Sequence, residues 1–363
     1  MAFVSLESVL RRGRDALARG PLGGRHRTPI VHPKPTRVFW WWEQICNLSC
    51  NHCDIGRRTL SYRLKPALDL EQKRRVIDRL ADWLGPGFSL SLFAGEPFLH
   101  QDIFDVLAHA HARGAVTSVT TNATLLGTKK QAGRVVESGL DFMAVSLDAD
   151  DAEIHDRSRG KPGAFVQAMR GLDAVLEARE AAGAKKPVVW VNSIVMKDNL
   201  ASLLALSDRV KERGIEGHTF QPIASTTFFQ GIKDDGARWF ERSPLWPDTA
   251  EVIAFVDELE RRASDGYPIQ SSARDFAKWR AYFRDPIAFS HAESCENELS
   301  SMLVTHDGHV KMCPNVREAF GHILDDDLGA MWGSPASERA RAHVTECDSQ
   351  CKILANNKED FFF

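Results

Sequence analysis

Seven cysteines fall into two groups in this chain of 363 residues, and their spacing suggests metal chemistry. Three stand on one short stretch, Cys46-Asn-Leu-Ser-Cys50-Asn-His-Cys53, directly after an apolar run from Val38 to Ile45. Three thiolates on such a loop can ligate three irons of a four-iron cube and leave the fourth open to a small ligand. Structural zinc is the competing reading, with His52 or a distant residue as fourth ligand. The other four, Cys295, Cys313, Cys347 and Cys351, suffice for a closed site, either a second 4Fe–4S cluster or a zinc held by four thiolates. An odd count bunched in this way is a poor disulfide framework. It fits a reducing compartment, and cytoplasmic is the default localisation.

Such ligands must be positioned by the chain around them. Strand-like apolar runs at about 37–45, 88–93, 115–121, 141–147, 187–196 and 217–223 alternate with helical patterns. Asp69 and Gln72 form a capping-box pattern ahead of Val76, Ile77, Leu80 and Leu84. Residues 163–182 space Phe165, Met169, Leu172, Val175 and Leu176 helically, and 199–214 opens on a capping Asn199 and ends at Gly214. Six alternations predict an α/β fold with a parallel sheet, closed or partly closed into a barrel. After Gln221-Pro222 the alternation stops. Residues 226–290 read as a linker with a helix at about 249–264, then a Trp/Phe-rich stretch. From 291 to 363 the texture is short, turn-rich and cysteine-containing, which predicts a small α+β module and a tail.

Formal net charge is −3 and the isoelectric point is near 6.5, which gives no electrostatic case for nucleic acid. No apolar run approaches the ~20 residues of a membrane span. Residues 1–36 read as an N-terminal helical extension, with an apolar stripe of Phe3, Leu6, Val9, Leu10 and Leu17 flanked by arginines. It has no apolar core or cleavage pattern of a signal peptide.

The cysteine loop resembles the CxxxCxxC loop of the radical S-adenosylmethionine (SAM) superfamily, and four later motifs extend the resemblance over about residues 37–223. Leu92-Phe93-Ala94-Gly95-Glu96-Pro97-Phe98 is similar to that family's Gly-Gly-Glu-Pro turn, with Ala94 in place of the first glycine. Thr120-Thr121-Asn122 resembles its Thr-Asn-Gly turn, with Ala123 replacing glycine. Ser146-Leu147-Asp148, then His155-Asp156 and Arg159-Gly160, and finally Val191–Asn199 resemble segments of the subfamily with extra clusters. The resemblance implies a partial (β/α)6 parallel barrel over 37–225. It also implies that SAM chelates the open iron beside the carboxyl ends of the strands. The Ala94-Gly95 backbone then meets the methionine amino group, Glu96 accepts from it, and Ser146 and Arg159 hold the carboxylate. Thr121 and Asn192 fall near ribose or carboxylate, Asn122 is among the cofactor-binding residues, and the main chain from Ile194 to Met196 flanks adenine.

Cys295-x12-Gly308-x4-Cys313 resembles the entry to the SPASM and twitch modules appended to such barrels. Gly308 suits a hairpin turn between His306-Asp307 and Val310–Met312, and 321–332 resembles the module's connector with its tryptophan. Four cysteines without further ones between Cys313 and Cys347 imply a twitch-like module with one saturated auxiliary 4Fe–4S cluster. The implied cofactors are therefore SAM and two 4Fe–4S clusters, with a low-potential donor such as flavodoxin or ferredoxin as partner.

The expected activity is reductive cleavage of SAM to a 5′-deoxyadenosyl radical that takes hydrogen from a substrate. The short stretch before the barrel favours a small polar molecule, such as a sugar, aminocyclitol or other alcohol, undergoing dehydrogenation or epimerisation. Radical modification of a ribosomally made peptide is the alternative. A non-catalytic iron–sulfur or zinc scaffold or electron carrier is an alternative of another class. Glu43, Asp148 and Gln221, at strand ends or beside the cysteine loop, are candidates to face substrate.

Overall fold

The computed structural model describes residues 33–55, 67–224, 238–316 and 318–356. The N-terminal apolar stripe and the C-terminal tail, which ends Phe361-Phe362-Phe363, lie outside the described residues.

Six strands, β1 (Arg37–Trp41), β2 (Ser89–Phe93), β3 (Val116–Thr121), β4 (Phe142–Ser146), β5 (Val188–Val195) and β6 (Gly217–Pro222), pair in parallel in sequence order. The crossovers carry α1 (Leu70–Leu84), α2 (Asp102–Ala112), α3 (Lys129–Glu137), α4 (Ala152–Arg159), α5 (Ala164–Ala181) and α6 (Leu200–Glu212). Each strand alternates between two environments. Leu90, Leu92, Val119, Val189, Val191, Val195 and Phe220 join Val76, Ile77 and Leu80 of α1 in one apolar core. Their sequence neighbours point to the other face. Helix starts follow local capping chemistry: Asp69 accepts from the Gln72 N–H at 2.8 Å, and its own N–H donates to Gln72 Oε1 at 2.9 Å. Such a cap contributes about 1 kcal/mol.

The first strand stops at Trp41 rather than running to Ile45 as its apolar sequence predicts. The Ile45 carbonyl is taken instead by the Glu96 N–H at 3.0 Å, which bends the chain into the cysteine loop over the end of β2.

Beyond β6 the linker holds more helix than its sequence predicts: α7 (Thr249–Ser264), α8 (Ala273–Arg284) and α9 (Pro286–Ala292). Phe276, Trp279, Tyr282 and Phe283 form the buried face of α8, and the Tyr282 hydroxyl donates to the Ile223 carbonyl at 2.7 Å. The C-terminal module follows with α10 (Glu296–Leu299), β7 (Ser301–Val304), β8 (His309–Lys311), β9 (Gly321–His322), α11 (Leu328–Trp332), α12 (Pro335–Glu346) and α13 (Lys352–Asn356). Gly308 turns the β7–β8 hairpin at a φ of 85°, as its position predicts.

The module does not form a sheet of its own. β7 pairs in parallel with the free edge of β1, giving a nine-stranded sheet in the order β6-β5-β4-β3-β2-β1-β7-β8-β9. With that edge occupied, β6 does not close onto β1 and the barrel stays partial. Among the described residues no helix is long and apolar enough to cross a membrane.

Candidate active site

The strand faces turned away from the helices carry small and polar side chains: Ser91, Ser118, Thr120, Ser146, Asn192 and Gln221. Parallel barrels ordinarily fill this space with branched apolar residues. Here the small side chains leave a cavity of about 360 Å³, also lined by Phe39, Phe93, Ile223 and Leu303.

Cys46, Cys50 and Cys53 line that cavity from the loop after β1. The loop is held from both sides. Ser49 N–H donates to the Arg159 carbonyl at 3.2 Å and Asn51 N–H to the Ser158 carbonyl at 2.9 Å, so the end of α4 supports it. Gly160, with φ of 64°, lets the backbones meet, since a Cβ there would overlap the Ser49 carbonyl. Gly95, with φ of 65°, does the same against the Ile45 carbonyl. Burial pushes the Cys46 thiol up to about 12 and the Cys50 thiol up to about 11. Neighbouring thiols add to the rise at both. A cationic iron group held by these sulfurs would favour their thiolate form.

Eight of the ten residues expected around SAM line the cavity: Ala94, Gly95, Thr121, Asn122, Ser146, Arg159, Asn192 and Ile194. Glu96 and Met196 do not. The Glu96 carboxylate is turned away and accepts from Thr121 Oγ1 at 2.7 Å, Asn122 N at 2.8 Å and Phe98 N at 3.1 Å, which makes it a brace between two turns. Burial nevertheless raises its pKa. Met196 is buried behind the cavity wall, where its N–H donates to Asn199 Oδ1 at 2.9 Å. Ala94 and Ala123, the two alanines in place of motif glycines, adopt φ of 71° and 56°. The backbone keeps the left-handed turn that glycine favours and bears the strain.

Of the three substrate-facing candidates, Gln221 alone lines the cavity. Asp148 is wholly buried, and its carboxylate accepts from Ser158 Oγ at 2.9 Å and Ile194 N at 3.0 Å and pairs with Arg159 Nε at 2.8 Å. Burial pushes this carboxyl up, but Arg159, His52, His155 and the Ile194 N–H outweigh it and hold the pKa below the usual value. Glu43 is also buried and pairs with His100 Nε2 at 2.9 Å. Both carboxylates serve neighbours rather than substrate.

The C-terminal cysteines form the second constellation. Burial raises the thiols of Cys295, Cys313 and Cys351, the last to about 11, and each is raised further by one or more of the other module cysteines. N–H donors reach three of the four sulfurs. Asn315 N lies 3.4 Å from Cys313 Sγ, Asn315 Nδ2 lies 3.0 Å from Cys351 Sγ, and Ser349 N lies 3.4 Å from Cys347 Sγ. Glu298 and Asn315 carry no motif signal beyond closeness to Cys295 and Cys313. Yet Glu298 lines the cavity beside Pro314 and Leu354.

Comparison with known proteins agrees with this geometry. The Radical SAM superfamily profile matches residues 44–210, and an iron–sulfur cluster-binding domain, SPASM, matches 295–353. An AdoMet-dependent heme synthase of Nitratidesulfovibrio vulgaris is 31% identical over 334 residues, 88% of this chain and 83% of that protein. AlbA, the antilisterial bacteriocin subtilosin biosynthesis protein of Bacillus subtilis, is 21% identical over 307 residues, 84% of this chain and 60% of its own. Streptococcus suis SuiB bound to SAM superposes with a TM-score of 0.63 at 18% identity, covering 89% of this chain and 72% of that one. The two profiles imply SAM and two 4Fe–4S clusters, which the two cysteine sets and the cavity fit. The chain therefore belongs to the radical SAM superfamily, with a SPASM/twitch-type iron–sulfur module at its C-terminal end.

Proposed function

We propose that this enzyme carries out a net oxidation, in which a substrate loses a hydrogen atom in the cavity and then an electron toward the module. The cavity carries this reading. Its walls combine the three N-terminal cysteines with Pro314, Glu298 and Leu354, each within three residues of a module cysteine, so a substrate there lies between two iron sites. When bound, SAM and the clusters supply the 5′-deoxyadenosyl radical and an acceptor for the departing electron. All seven cysteines belong to one set or the other. No separate thiol stands ready to return a hydrogen, which supports oxidation over epimerisation.

The chain's own part is positioning. Arg159 and Ser146 hold the SAM carboxylate, with Asn192 and the Ile194 main chain along the nucleoside. Gln221 and the Ser91–Ser118 hydroxyl pair, 2.7 Å apart, are available to substrate. Phe39, Phe93 and Leu303 exclude water. A reducing cytoplasm and a donor such as flavodoxin or ferredoxin suit these clusters.

The heme synthase relative supports a porphyrin substrate and moves the reading away from the sugar or aminocyclitol expected from sequence. Peptide modification is the second reading, supported by the likeness to AlbA along most of the chain. The test is anaerobic incubation of reconstituted enzyme with SAM and reductant, with an iron porphyrin or a peptide encoded beside the gene. The expected result is substrate-dependent 5′-deoxyadenosine and a product that has lost hydrogen, with less reductant consumed than SAM. A product of unchanged mass and inverted configuration defeats the oxidation.

A further inference from the structure

We propose that Asn315 sets the reduction potential of the auxiliary cluster by donating hydrogen bonds to two of its cysteine ligands from different parts of the chain. This deepens the reading of that cluster as the electron acceptor.

Asn315 lies two residues after Cys313, between β8 and β9. Its backbone N–H points at Cys313 Sγ, 3.4 Å away, and its side-chain Nδ2 reaches Cys351 Sγ at 3.0 Å. Cys351 comes from the turn ahead of α13. One residue thus clamps two sulfurs that are far apart in sequence. A cluster gains negative charge on reduction, and donors on its sulfurs stabilise that charge, so each one raises the potential. Ser349 acts in the same direction, with its N–H 3.4 Å from Cys347 Sγ and its side chain hydrogen-bonded to Cys351, but its two donors are not one clamp between Cys313 and Cys351. The buried Lys352, next to Cys351, donates its Nζ to the Ser290 carbonyl at 2.5 Å and adds positive charge nearby.

Glu298 opposes them. This carboxylate lies three residues after Cys295 and lines the cavity beside Pro314, the residue after Cys313. Negative charge there disfavours the reduced cluster. The two side chains therefore pull the potential in opposite directions, and a role of Asn315 in packing alone predicts no such pair of shifts.

The test uses full-length protein in which Cys46, Cys50 and Cys53 are alanine, so that the auxiliary cluster is titrated alone. Iron is counted first, and the midpoint is then read by EPR-monitored redox titration for Asn315→Ala, Asn315→Asp, Asn315→Gln and Glu298→Gln. At unchanged iron, Asn315→Ala shifts the midpoint negative and Asn315→Asp, which adds charge, shifts it further. Asn315→Gln recovers part of the shift, and Glu298→Gln moves the midpoint positive. An unmoved midpoint at full iron overturns the proposal. So does iron loss from the Asn315 variants with the remaining clusters titrating as the parent does. No substrate is involved, so failure of the net-oxidation reading shows separately in the product.

Discussion

The Asp148 carboxylate meets the Arg159 guanidinium at 2.8 Å with both side chains buried, 0% and 8% exposed. Arg159 lines the cavity and Asp148 does not, so under the proposed role of Arg159 at the SAM carboxylate the aspartate would act on SAM through the arginine it pairs with. Asp148→Asn is expected to weaken SAM binding by about tenfold, as loss of an orienting partner does. It also leaves a buried cation with less compensation, at about 3 kcal/mol of stability. Equilibrium dialysis with SAM and thermal unfolding check both effects, and an unchanged SAM affinity refutes the aiming role.

Replacing Cys46, Cys50 and Cys53 by alanine is expected to abolish formation of 5′-deoxyadenosine. Iron per chain should fall from about eight to about four. Persistent SAM cleavage in this variant would falsify the assignment of the N-terminal loop. Four irons in the parent protein would remove the auxiliary cluster.

Ala94 sits at a φ of 71° in the turn that braces the cysteine loop. The strain of such a position is about 1–2 kcal/mol, while glycine loses about 0.5–1 kcal/mol through the unfolded chain. Ala94→Gly should therefore raise stability by up to about 1.5 kcal/mol and preserve SAM cleavage. A lower unfolding midpoint would mean that the methyl group is needed for packing.

His218, on β6, is fully buried with Nε2 2.9 Å from Ser193 Oγ and Nδ1 3.2 Å from Ser207 Oγ. Burial lowers its pKa to about 3. Between its unfolded value near 6.5 and that folded value, the unfolded chain binds a proton that the folded chain refuses. Stability is thus retained above about pH 6.5 and falls with acidification toward pH 3, by up to about 1.4 kcal/mol per pH unit. His155, lowered by burial to about 4, adds to the slope in the same direction. His218→Asn should flatten part of that dependence in denaturant titrations across the window. An unaltered slope would place the proton uptake elsewhere.

The strands were legible because apolar helix-facing residues alternate with cavity-facing ones, as in Leu90-Ser91-Leu92-Phe93. The cysteine sets were legible because ligand spacing is local. Carboxylate directions were not. Glu96 turns to Thr121, 25 residues later, and no local pattern ranks that bond above one to a ligand. The linker helix α8 was hidden for another reason. Its aromatic density reads as a buried patch of any shape, and the capping pair Ser272 and Asp275 is the signal that marks its start. The pairing of β7 with β1 was also beyond local patterns, since it joins segments some 264 residues apart.

That pairing limits how freely the module can be exchanged. Phe39 of β1 stands opposite Leu303 of β7, and both line the cavity. A slip of one residue would turn Leu303 outward and bring Val304 in. The span between the two cysteine sets is thus fixed by strand register rather than by a hinge. A chimera carrying this module on another barrel would inherit the placement of its cysteines over the cavity only where the incoming strand pairs Leu303 with the counterpart of Phe39.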